Sequence, residues 1–72
     1  MVIGLDVGGT NTTGGLAAAD GSLRAKVRKP TDRHGGAAAG LVLIAEIVSE
    51  LAAEAERDGV GVERIGVGFG GP

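Results

Sequence analysis

The chain opens on a two-residue alternation: Ile3, Leu5 and Val7 share one face, and Val2, Gly4 and Asp6 share the other. Period two marks a half-buried strand, so residues 2–7 read as β, with Asp6 leaving the strand opposite its bulky residues. Gly8, Gly9, Thr10 and Asn11 read as a turn, because glycine and asparagine tolerate positive φ, and residues 12–18 return as a second strand of small side chains. Asp20-Gly21 is a second hairpin signal. Beyond it Leu23, Ala25 and Val27 alternate with Arg24, Lys26 and Arg28, which predicts a third strand with one buried and one basic, solvated face. Cations along a strand discourage edge-to-edge aggregation, so this strand belongs at an edge.

After a loop over residues 30–36 the period changes. Leu41, Ile44, Val48, Leu51, Ala52 and Ala55 recur at three- and four-residue spacing while Glu46, Glu50, Glu54 and Arg57 form the wet side, predicting a helix over about residues 37–57. Gly59 stands where a C-cap glycine is expected. Gly40 weakens the first turn. Residues 64–69 resume period two, with Ile65, Val67 and Phe69 on one face and Gly66 and Gly68 on the other. A helix between two strands is a parallel crossover, so the element order is β-β-β-α-β. Gly4 with Gly66 and Gly68 bares matching faces of the first and last strands, which invites a packed helix or a ligand to come close.

Composition thins the expected core. Of 72 residues 15 are glycine, one is phenylalanine and none is tryptophan or tyrosine, and a chain of this length buries only about 60% of its unfolded surface. One unit spanning residues 1–72, and part of a larger fold, is the reading that follows. A net charge of −2 with both signs interspersed gives no footprint for nucleic acid or an anionic membrane. The absence of cysteine fits a reducing compartment. The start lacks a basic n-region and meets Asp6 too early for a signal peptide, and no uninterrupted apolar run approaches a membrane span, so a cytoplasmic location is expected.

The candidate chemistry lies at Asp6, Gly8, Gly9, Thr10 and Asn11. Glycines let backbone N–H groups converge on an anion, Thr10 and Asn11 add side-chain donors, and a carboxylate at a strand end can hold a hydrated Mg2+. A plain glycine-rich turn with an incidental aspartate explains the same residues equally simply. The P-loop pattern ending in Gly-Lys-Ser/Thr is absent, and Gly66, Gly68 and Gly71 match Gly-x-Gly-x-x-Gly without a following helix. His34, the only histidine, lies in a loop with no constellation to make it a base. Asp20 and Asp32 have turn and loop roles, and no cluster suggests a protein-built metal site.

Three stretches in order resemble the opening of the ROK family of bacterial glucokinases, other hexose kinases and sugar-responsive repressors. They are Ile3-Gly-Leu-Asp-Val-Gly-Gly-Thr-Asn11, Gly15-Leu-Ala-Ala-Ala-Asp-Gly21 and Ile65-Gly-Val-Gly-Phe-Gly-Gly-Pro72, with Pro30-Thr31 and the helix between. The resemblance implies an α/β fold: a ribonuclease H-like, actin-like ATPase half-domain whose sheet runs third, second, first, fourth strand, the last parallel to the first. It implies an ATP- and Mg2+-dependent transfer of phosphoryl to a hexose, glucose foremost. Gly8 and Gly9 would give backbone donors, Thr10 and Asn11 side-chain donors, Asp6 a water-mediated hold on Mg2+, and Gly71 a substrate contact. Gly70 departs from the family's usual proline. The family's catalytic aspartate has no counterpart here, so these residues are expected to bind without turnover. A sugar-responsive repressor or a non-catalytic nucleotide-binding module are the alternatives, and a homo-oligomer is compatible with either.

Overall fold

The structure, a computed structural model, describes residues 1–31 and 35–69, Phe69 through its main chain alone. Strands β1 (Val2–Val7), β2 (Asn11–Ala17) and β3 (Leu23–Pro30), helix α1 (Gly36–Arg57) and strand β4 (Arg64–Phe69) follow one another along the chain. They form one mixed sheet in the order β3-β2-β1-β4. The first three strands are antiparallel and β4 lies parallel to β1, in register Ile3 to Ile65 and Leu5 to Val67. The α/β class and the strand order expected from the sequence are therefore observed. Boundaries shift slightly: Asn11 already pairs as strand, and β3 runs on through Pro30 before the helix starts at Gly36.

Alternation sends Ile3, Leu5 and Leu16 to one face, where Ile47, Leu51 and Ala55 of α1 meet them; with Met1 these are the buried core. Burying a side chain such as Leu51 contributes about 1.5–3 kcal/mol. Of the expected apolar stripe Leu51 and Ala55 are buried and Ile44 and Val48 pack half-buried against the core, and the correction concerns its two sides. Ile47 is fully buried, while Leu41 is 68% exposed. What lets the helix sit so close is Gly14: a Cβ there would overlap Cγ2 of Ile47 and lie 3.0 Å from both Leu5 Cδ2 and Leu51 Cδ1.

Leu23 is a second correction. Leu16 pairs with Ala25 but Ala17 pairs with Leu23, so Arg24 is an extra residue in the ladder. A bulge of this kind reverses the alternation, and Leu23 moves to the outer face, 63% exposed. The helix ends as expected. Gly59 adopts φ +73°, its N–H donates to the Glu56 carbonyl and the Val60 N–H to that of Ala55, the paired bonds of a Schellman cap. The start of α1 is plainer, with Gly35 as N-cap and no capping side chain.

The start of β1 is tied to the start of β4. The Met1 amino group donates to the Gly61 carbonyl at 2.9 Å, and the Glu63 N–H donates to the Met1 carbonyl at 3.0 Å. Helix α1 lies over β2 and β3, touches β1 and, among the described residues, makes no contact with β4. Its 22 residues are long and apolar enough to cross a membrane by length and composition alone, with mean hydropathy 1.7 in the richest window. That corrects the expectation of no such stretch: Glu46 and Glu50 interrupt the run without lowering its average far. Here the same helix packs on a sheet, and Lys29 of β3 bridges to Glu50 at 2.8 Å and to Glu46 at 3.6 Å.

Candidate phosphate-binding turn

The β1–β2 hairpin brings Asp6, Gly8, Gly9, Thr10 and Asn11 to the carboxyl end of β1, beside the carboxyl end of the parallel strand β4. In open α/β sheets that end is where ligands gather. The turn is closed by the Gly8 N–H donating to the Asn11 carbonyl at 3.0 Å. Neither Gly8 nor Gly9 takes a positive φ, and no non-glycine residue among those described does. The tolerance of positive φ expected from sequence is thus not the reason for glycine here, and another applies at Gly8 alone. A Cβ on Gly8 would stand 2.9 Å from the Asn11 carbonyl oxygen it faces, so Gly8 is required by the turn itself; at Gly9 a Cβ would meet nothing within 4 Å. Gly9 and Thr10 are exposed, Asn11 half-buried.

Thr31, at the far end of β3, holds this turn. Its hydroxyl donates to the Gly8 carbonyl at 2.8 Å and lies 2.9 Å from the hydroxyl of Thr12, which is 1% exposed. Its N–H donates to the Thr10 carbonyl at 2.9 Å. From sequence Thr31 stands in a loop and, with Pro30, in the family resemblance, without a role at this turn. The signal for it, a threonine beside the strand that pairs with Thr12, has meaning only once β3 is known to run on through Pro30 against Asn11.

Asp6 is exposed on the outer face of the sheet, the face away from α1. There it borders a shallow hollow of about 590 Å³ with Gly4, Thr13, Gly15, Lys26 and Gly66. The bare faces of β1 and β4 thus do coincide, with Gly4 opposite Gly66 and Asp6 opposite Gly68. The helix packs on the opposite face, so this chain's own α1 is not what the outer glycines accommodate. No group of three or more metal-ligating side chains occurs among the described residues. A Mg2+ at Asp6 would have to complete its octahedron with water and phosphate oxygens, which is how Mg2+ is usually held.

Asp20 sits apart from this site, at the β2–β3 turn. Hydrogen bonds from the Ser22 hydroxyl and N–H hold its carboxyl below the usual range, which confirms a turn role. Asp32, His34, Gly70, Gly71 and Pro72 lie outside the described residues. The chain matches no protein-family model and no curated protein sequence.

Proposed function

We propose that this chain is the phosphate-gripping lobe of an ATP-dependent sugar kinase of the ROK type, built on a ribonuclease H-like sheet and working in the cytoplasm. The observation that carries the reading is Gly9. Neither backbone conformation nor packing calls for glycine there, yet it sits exposed at the tip of a braced turn, at the carboxyl end of two parallel strands. A position with room for a side chain that still lacks one suits close approach by a ligand.

Phosphoryl transfer depends on positioning and on neutralising charge spread over phosphate oxygens. Gly9, Thr10 and Asn11 would face those oxygens, and Asp6 would orient a hydrated Mg2+ beside them. Gly8 takes a different part from the one its sequence suggests, because its N–H already closes the turn. The base that deprotonates the hexose hydroxyl is assigned to none of these 72 residues. Calorimetric titration with Mg-ATP tests the reading: saturable binding by the native chain, lost in Gly9→Val with the far-UV circular dichroism unchanged, is the expected result. Equal binding by Gly9→Val, or no saturable binding by the native chain, would overturn it.

A further inference from the structure

Thr31 ties the β1–β2 turn to the end of β3 at three points. Its hydroxyl donates to the Gly8 carbonyl, its N–H donates to the Thr10 carbonyl, and its hydroxyl oxygen lies 2.9 Å from that of Thr12. A carbonyl only accepts, so the single Thr31 hydroxyl proton goes to Gly8, and between the two hydroxyls Thr12 must be the donor. The polar chain therefore runs one way, from Thr12 through Thr31 to the Gly8 carbonyl. A trans peptide holds its N–H opposite its C=O, and no peptide bond among the described residues is cis. Fixing the Gly8 carbonyl on the Thr31 hydroxyl thus aims the Gly9 N–H away from it. Fixing the Thr10 carbonyl on the Thr31 N–H holds the far side of the same turn, so the peptide between Gly9 and Thr10 is gripped from both ends.

We propose that Thr31 is a positioning residue for phosphate binding: without touching the ligand, it and Thr12 hold the Gly8–Gly9 peptide in the orientation that presents the Gly9 N–H to a phosphate oxygen. This role rests on the phosphate reading above and adds to it the two residues that set the direction of the donor. Donors fixed in advance stabilise phosphate charge better than donors that must first be ordered. Stability alone gives a poor account of the pair. Thr12 stands with Gly14 and Leu16 on the helix side of β2 and is 1% exposed. Burying a hydroxyl costs free energy that its hydrogen bond at best offsets, whereas two valines of the same shape would fill the space almost neutrally. What two valines could not do is direct the Gly8 carbonyl.

Calorimetric titration of the 72-residue chain with Mg-ATP, beside urea unfolding of the same variants, tests this. Thr31→Val should weaken binding about tenfold. Thr31→Ser keeps the hydroxyl and should bind within about twofold of the native chain. Combining Thr12→Val with Thr31→Val separates positioning from stability. The unfolding midpoint of that double variant should return toward the native value, because no buried hydroxyl is left unpartnered and the half-buried Gly8 carbonyl can accept from water. Its affinity should stay about tenfold below native. Native affinity in Thr31→Val, or an affinity that recovers together with stability in the double variant, would overturn the positioning role and leave the phosphate reading standing. Absence of saturable binding by the native chain would overturn that reading, and this role with it.

Discussion

Among the described strands the outer face of the sheet carries Gly4, Gly15, Gly66 and Gly68 and the helix side only Gly14, and glycine serves opposite ends on the two faces. Beneath α1, Gly14 is a packing requirement: Ile47, Leu5 and Leu51 fill the space its side chain would take. On the outer face, Gly4 and Gly66 have nothing within 4 Å of where a Cβ would stand. A glycine in a strand costs conformational entropy on either face. On the outer face Gly15 makes room for Leu23, whose Cδ1 would lie 3.2 Å from a Cβ there, but at Gly4 and Gly66 the fold of this chain does not repay the cost, so those two point to what the sheet is prepared to meet.

The sharpest way to break the contrast is to empty the inner face. Leu51→Ala should destabilise by about 2–5 kcal/mol, because it removes a fully buried side chain from a core of seven residues; urea unfolding reads it directly. Filling the inner face should cost less. Gly14→Ala should lose about 1–3 kcal/mol as α1 is pushed outward, and a loss under 0.5 kcal/mol would show that the helix slides freely over this strand.

The turn lies between the two regimes. Thr31→Val removes the donor to the Gly8 carbonyl and leaves the buried Thr12 hydroxyl without that partner, an expected cost of about 1–2 kcal/mol, with Thr31→Ser restoring most of it. On the outer face Gly66→Ala should change stability by no more than about 0.5 kcal/mol, measured by the same urea unfolding. If Gly14→Ala and Gly66→Ala cost the same, the distinction between the faces is gone.

The smallest effect is a pH dependence at the rim of the helix. Hydrogen bonding to Glu50 raises the Lys29 pKa above its ordinary value, more than desolvation lowers it. A cation stabilised by folding contributes fully below its unfolded-state pKa and loses that contribution as pH rises through the raised folded value. The native chain should therefore lose its advantage over Lys29→Met only above the ordinary lysine pKa of about 10.4, in thermal melts recorded from neutral to strongly alkaline pH.

Much of this was legible in the chain. Period-two alternation placed β1 and β4, the charges on β3 placed it at an edge, and Gly59 marked the helix end, since each of these depends on neighbours within a few residues. Leu23 was misread because a single extra residue, Arg24, reverses the face of whatever precedes it, and no local pattern records a bulge. Ile47 was passed over for Leu41 because a helical stripe several residues wide does not reveal which line of it touches a partner. In the candidate site, the turn residues were legible as a cluster of glycine and polar side chains. The brace at Thr31 was not, because it joins residues 23 positions apart.

By itself, then, the sequence determined the elements, their order and the residue types gathered at the β1–β2 turn, all properties of short-range periodicity and backbone preference. The tertiary structure alone decided which glycines lie under the helix and which lie bare, and that a side chain would crowd the turn at Gly8 but meet nothing at Gly9. Those outcomes depend on the distance between segments far apart in the chain, and that distance is fixed by how closely α1 settles onto Gly14 and by the register in which four strands meet.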